Sequence, residues 1–203
     1  MISRRLSIAL ASAALSAALV FPAGAGAYSV FLTLPTASGF TTTTSDVTMR
    51  AKDQLAGIPL KSFSFKGSLS NPGSLGSSSR PTISAASLSK LVDANSPRIF
   101  SAFVSGATIP SAAVWINEVV GNRPTTTVLK YCFTNVTFSK QEQITLTGGN
   151  PTEETVEFSF GSVVMAQTTL DTRTGSVLAP VRAGYDLVAS RIMGLTTLPV
   201  TSC

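Results

Sequence analysis

The stretch KLVDANSPRIFSAFVSG, Lys90 to Gly106, decides how the rest of the chain is read. Ser96-Pro97 is a helix start. A serine hydroxyl suits the N-cap, where it accepts a backbone N–H, and proline suits the first helical position, where its missing N–H had no partner to lose. Ile99 and Phe103, then Phe100 and Val104, fall four residues apart, which gathers apolar side chains on one side of a helix. Gly106 suits the left-handed residue that closes it. The spacing predicts one short α-helix over about residues 97–105, with an apolar stripe that needs a sheet to cover it.

On either side the patterns are those of strands. Tyr28 to Leu34 alternates and ends at Pro35, and residues 36–48, rich in Thr and Ser, read as a long loop. Leu60 to Gly67 carries Phe63 and Phe65 at period two, as a half-buried strand does. Residues 67–81, rich in Gly and Ser, read as a second loop. Beyond the helix come Ala113–Val120 with Trp115, the β-branched and aromatic run Thr125–Phe138, and Gln143–Thr147 before the turn cluster Gly148–Pro151. In Glu154–Gly161, Val156, Phe158 and Phe160 alternate against Glu157 and Ser159. Ser162–Thr168 follows a bend at Gly161, and after a turn at Asp171–Gly175 the run Ser176–Val188 completes the body. Only 12% of residues are charged, so Ser and Thr supply much of the polar surface. Short strands between turn signals, with a single helix, predict a mainly β chain: a barrel of antiparallel strands.

The N-terminus reads as a secretory leader. Arg4 and Arg5 precede the Ala/Leu-rich run Leu6–Phe21, and Ala25-Gly26-Ala27 forms a small-residue cleavage site. The apolar run is shorter than the roughly 20 residues of a spanning helix. Cleavage is expected after Ala27, by the general export route, although Ser3-Arg4-Arg5 also hints at a twin-arginine signal. The expected organisation is a signal peptide at 1–27, a barrel domain at 28–191 and a C-terminal tail at 192–203, with the mature chain secreted or periplasmic and no membrane segment left after cleavage. The net charge of +5 then falls to +3, from 13 basic and 10 acidic residues, with no basic run, so no nucleic-acid partner is expected. Export leads to an oxidising compartment, where Cys132 and Cys203 either bridge to each other or remain two separate thiols.

Catalytic machinery is sparse. The chain has no His, which removes the commonest general base and metal ligand. Two distant cysteines do not make a zinc site. Glu153-Glu154 lies beside a turn and reads as a solvated hairpin tip. Gly148-Gly149 lacks the Lys-Ser/Thr of a phosphate loop. No catalytic, cofactor or metal site is expected, and the chain is read as a non-enzyme.

Five segments in order resemble the Hcp (haemolysin-coregulated protein) family, the tube protein of bacterial type VI secretion. Lys90, Asp93, Ser96, Pro97, Phe100, Ala102 and Gly106 resemble its segment leading into the helix. Lys61-Ser-Phe63-Ser-Phe65 looks like its aromatic second strand, and Tyr131–Val136 its central one. Val156, Phe158, Phe160 and Gly161 resemble its late strand, and Gly184-Tyr185-Asp186 its closing G-W-D with Tyr for Trp. The likeness covers roughly residues 28–191. It implies a β-barrel with one helix, assembling with itself into hexameric rings that stack into a tube. It also implies partners among secretion-apparatus components or effectors held in the lumen, and it brings no catalytic residue.

The loop at 36–58 stands where the family's extended loop contacts a neighbouring subunit, so deleting Thr41–Ser45 is expected to weaken assembly without unfolding the barrel. The family's tube protein is used from the cytoplasm without a leader, so either this is a separately exported relative or the start codon is misassigned, and the lack of a family-like opening strand in Leu10–Ala27 favours export. The alternative expectation is a stand-alone secreted binding module or adhesin that uses the barrel to present its loops, and a monomer rather than a hexamer would mark it.

Overall fold

The computed structural model describes residues 27–41, 43, 55–69, 81–119, 126–145, 152–169 and 178–193. In chain order the elements are β1 (Ala27–Pro35), a 3-10 turn (Thr36–Ser38), β2 (Leu55–Leu60), β3 (Ser62–Ser64), β4 (Gly67–Leu69), β5 (Pro81–Ile83), β6 (Ala86–Leu91), α1 (Ser96–Ser105), β7 (Thr108–Val119), β8 (Thr126–Ile144), β9 (Glu153–Ser159), β10 (Ser162–Gln167), β11 (Val181–Asp186) and β12 (Arg191–Met193). Every strand pairing among them is antiparallel.

β8 is the pivot of the sheet. Its first half pairs with β7 and β10, and its second half pairs with β9. From β7 the pairing runs through β1 to β2, and from β9 through β6 to β3. β2 and β3 are one run broken at Lys61, whose N–H bonds to the Ser89 carbonyl of β6. The ring of pairings therefore closes on itself, which removes the free edges of an open sheet. β10, β11 and β12 extend from β8 as a flange whose outermost strand is β12.

The barrel interior is filled in part by residues of the expected strands and in part by Ile58 and Leu88, which lie outside them. Leu32, Leu34, Ile58, Leu88, Val114, Phe133, Val136, Val156 and Phe158 are buried in one cluster, with Phe63, Phe65 and Tyr131 packed against it. Phe133 stands edge-on to Phe158 at 5.2 Å between ring centroids and 4.8 Å from Phe160. Edge-to-face pairs at this spacing match the positive ring edge to the negative face. A second, smaller cluster lies on the outside of the barrel, where Phe31 of β1 packs with Ala113 and Trp115 of β7.

Several sequence boundaries move. The run from Thr125 and the run to Thr147 are not two strands: β8 is continuous over Thr126–Ile144. Two local irregularities keep it on the barrel. Asn135 takes a left-handed backbone (φ 50°), and the pairing with β9 slips at Ser139. The expected strand Leu60–Gly67 is divided among β2, β3 and β4, because its pairing partner changes from β1 to β6. The ends of the second loop are themselves paired, β4 with β5. β12 takes two residues of the expected tail, and Ala27, the last residue of the expected leader, pairs with Val119. The rest of that leader, the tail from residue 194 and the turns at 146–151 and 171–177 lie outside the described residues.

α1 starts one residue earlier than expected. Asn95, not Ser96, stands at the N-cap, with φ −89° and ψ −16° and no side-chain capping bond. Proline occupies the first turn as predicted. Gly106 closes the helix with φ 63°, its N–H on the Phe103 carbonyl while the Ala107 N–H reaches the Ala102 carbonyl. That pair of bonds is a Schellman closure, which a residue with a Cβ would strain. The expected apolar stripe splits. Ile99 is buried and Ala102 and Phe103 pack on the core, whereas Phe100 and Val104 are 55% and 63% exposed. The helix is held from Ser96, and the residues that share its face are those three and seven places on.

Candidate functional site

β6, α1, β8 and β9 converge on a buried polar cluster. Lys90 lies at the inward end of β6, in phase with Ala86 and Leu88, and its side chain has no exposed surface. Glu154 lies on β9, in phase with Val156 and Phe158, and is equally enclosed. Lys90 Nζ donates to Glu154 Oε1 at 2.6 Å, to the Leu91 carbonyl at 2.8 Å and to Ser96 Oγ at 3.2 Å, and pairs with Asp93 Oδ1 at 2.9 Å. Ser96 Oγ donates to Glu154 Oε1 at 2.6 Å and accepts from the Asp93 N–H at 3.0 Å. Glu154 Oε2 accepts from Gln141 Nε2 at 2.8 Å and Gln143 Nε2 at 3.2 Å. A buried charge pair holds only when its remaining donors and acceptors are filled, and here Lys90 has four partners.

A second tier fixes the approach to the helix. Asp93 Oδ1 accepts from the Asn95 N–H at 2.8 Å. The Asn95 side-chain amide bonds twice to the Thr41 backbone: its Nδ2 donates to the Thr41 carbonyl and its Oδ1 accepts the Thr41 N–H, both at 2.8 Å. Thr43 Oγ1 reaches Asp93 Oδ2 at 3.2 Å. The start of the long loop is thereby tied to this chain's own helix.

The charges favour a permanent ion pair. Burial pushes the Glu154 carboxyl up, but hydrogen bonds from Lys90, Ser96 and Gln141 and the Lys90 charge outweigh it and hold the group below its usual range. Among the described residues, no group of three His, Cys, Asp or Glu could hold a metal ion.

The expectation for Glu153-Glu154 is corrected here. Glu153 faces outward to Lys61, while Glu154, on the opposite face of β9, is enclosed with Lys90. Neighbours on a strand point to opposite sides, so the pair is one solvated and one core residue.

Of the residues singled out from the sequence, Lys90, Asp93 and Ser96 meet in this cluster. Pro97 and Phe100 border it from the exposed side, lining a shallow depression with Val92. Ala102 and Gly106 belong to the packing and closure of α1. Phe158 and Phe160 are core, and Gly161 makes the bend into β10 with its N–H on the Thr134 carbonyl. Gly184, Tyr185 and Asp186 lie apart, at the end of β11. A Cβ on Gly184 would stand 3.1 Å from Val164 and 3.3 Å from the Met193 Cβ, so the flange packs against bare backbone there. Asp186 Oδ1 accepts the Ala189 N–H at 2.9 Å and shapes the turn into β12. Cys132 is not a free thiol: it is disulfide-bonded. The only other cysteine, Cys203, lies outside the described residues. Glu154, Gln141 and Gln143 were missed from the sequence.

The comparisons bear on this arrangement. A family model described as type VI secretion system effector, Hcp, matches residues 49–166, more than half of the chain and the whole polar cluster apart from its ties to Thr41 and Thr43. Hcp1 from Salmonella typhimurium superposes with a TM-score of 0.63 at 23% identity, over 82% of this chain and 99% of that one. A structure described as a type six secretion system protein gives a TM-score of 0.69 at 18% identity, over 82% of this chain and 100% of that one. A type VI secretion system effector from Yersinia pestis gives 0.56 at 15% identity, over 77% and 98%. At these identities the structural likeness speaks for the fold. No curated protein sequence matches the chain.

Proposed function

Since this chain belongs to the Hcp family of type VI secretion proteins, we propose that it is a structural ring subunit, exported by its own leader, that assembles with itself into hexamers able to stack and to carry effectors. The observation that carries this reading is a pair of unlike apolar surfaces on opposite halves of β8. One is the exposed side of α1, which carries Phe100 and Val104, with Phe100 lining a depression together with Val92. The other is the flange, where Val181 at the start of β11, Val188 in the turn and Ile192 on β12 are 71%, 81% and 82% exposed.

A ring built head to tail needs two different, complementary patches on each copy. Apolar clusters of this kind on an exposed edge are the sort of surface that another chain covers. The buried polar cluster fits the same role, because it spends its charged groups on holding α1 rigid. The disulfide at Cys132 favours an oxidising destination, in line with the leader.

The test is the solution mass of the mature chain from Tyr28, by light scattering over a concentration series. A hexamer is expected. A monomer at every concentration would overturn the ring reading in favour of a secreted binding module on the same barrel.

A further inference from the structure

The side of α1 away from Phe100 carries a second feature, and it is polar. At about 100° per residue, Arg98, Ser101, Ala102 and Ser105 share one face of the helix, while Phe100 and Val104 fall on the other side. The first face borders a depression of about 190 Å³ between the 3-10 turn after β1, α1 and the start of β7. Phe40 and Ile109, both buried, line it from the core, and Ser38, Arg98 and Ser101 give it polar walls.

The Arg98 guanidinium is laid against bare backbone. Gly39 closes the turn with φ 84°, its N–H on the Thr36 carbonyl at 2.8 Å. A Cβ there would stand 3.0 Å from Arg98 Nη1 and 3.3 Å from Cζ. Any other residue would be strained in that backbone and would push the guanidinium aside, so the glycine serves twice. Among the described residues no carboxylate pairs with Arg98, and the hydroxyls of Ser38 and Ser101 donate to nothing. The Ser105 hydroxyl is spent, since it donates to the Ser101 carbonyl at 2.7 Å. The depression thus gathers a planar cation and two unspent hydroxyl donors, with no acidic side chain lining it. An arginine that served only as a solvated surface charge would need no bare backbone beneath it.

We propose that this depression is an oxyanion site that takes a phosphate group on Arg98, Ser38 and Ser101. A guanidinium presents a fork of N–H donors that matches two oxygens of a phosphate. A carboxylate spends both of its oxygens on such a fork, whereas a phosphate has others to offer the two hydroxyls. The apolar lining from the core keeps water off one side, which strengthens the charge pairing. A free phosphate and the phosphate of a lipid headgroup share this chemistry. The site lies on the side of α1 opposite the apolar ring patch, so it is independent of ring assembly.

Equilibrium dialysis of the mature chain from Tyr28 against radiolabelled inorganic phosphate, at constant ionic strength, reads the site in a monomer and in a ring alike. Saturation near one phosphate per chain is the expected result. Arg98→Gln should abolish it. Arg98→Lys, which keeps the charge but not the fork, should weaken it about tenfold. Circular dichroism and melting of both variants should match the parent, because the guanidinium has no partner among the described residues. Vesicles of phosphatidylglycerol that displace the bound phosphate would make a lipid headgroup its source. Vesicles that leave it in place would make the source the free anion, and the site stands in both cases. Absence of saturable binding would overturn the proposal. Undiminished binding in Arg98→Lys would overturn it too, because diffuse surface charge then suffices.

Discussion

Lys90 Nζ and Glu154 Oε1 meet at 2.6 Å although 64 residues separate them, and neither side chain reaches solvent. The contact joins β6 to β9 at the mouth of the barrel and seats α1 through Ser96. Losing one partner leaves the other charge buried and unpaired, which costs about 3–5 kcal/mol. Lys90→Met and Glu154→Leu should each lower the free energy of unfolding, read from urea titration, by that much. The double variant should lose less than the sum of the two, because it leaves no orphan charge. A sum that is fully additive would show that the two residues do not act as a pair.

The same contact sets a pH dependence. The Glu154 carboxyl is held below its usual value in the folded chain, so it binds a proton less readily folded than unfolded. Its contribution is fully present above the ordinary carboxylate pKa of about 4.3 and fades as the pH falls through the lower, folded value. Thermal unfolding followed from pH 7 downward should show a steep loss on the acid side. In Glu154→Gln that loss should be shallower, from a lower starting stability at neutral pH.

How much of this could be read beforehand depends on the range of the interaction. Alternation placed Val156, Phe158 and Phe160 in the core, and the packing agrees. Carried back one more step, the same alternation points Glu154 inward, but the turn beside it made a solvated tip the natural reading. Gln141 and Gln143 were harder to place, because the slip at Ser139 shifts the inward phase of β8 from even to odd positions. Ser96-Pro97 located the helix to within a residue. The hydroxyl expected to cap it bonds instead to Glu154 and to the Asp93 N–H, partners that local propensity does not see. The apolar stripe of α1 was legible as composition, but which half of it would be covered was decided by that anchor.

The start of the loop after β1 makes contacts within the subunit, in addition to the contact with a neighbour that the family resemblance implies. Thr41 and Thr43 bond to Asn95 and Asp93, so deleting Thr41–Ser45 removes contacts within the subunit. The deletion should lower thermal stability as well as assembly. Asn95→Ala isolates the first effect. It leaves the Thr41 N–H and carbonyl without their partner, at about 1–3 kcal/mol if they stay dry. A melting temperature equal to that of the parent for both variants would return the loop to a purely intermolecular role.

Assembly and folding should separate at the two exposed surfaces. Phe100 and Val104 stand on the solvent side of α1, away from Ile99, and Ile192 stands on β12. Substitution at such positions changes subunit stability by only about 0.5 kcal/mol. A charge placed within a covered apolar contact is far more costly, because it must be desolvated without a partner. Phe100→Asp and Ile192→Asp should therefore each release monomers in light scattering while circular dichroism and melting stay close to the parent. If the contact is head to tail, each variant keeps one intact patch, so a mixture of the two should recover dimers through the remaining unlike pair and stop there. Recovery of full rings from that mixture would place the ring contact elsewhere on the barrel.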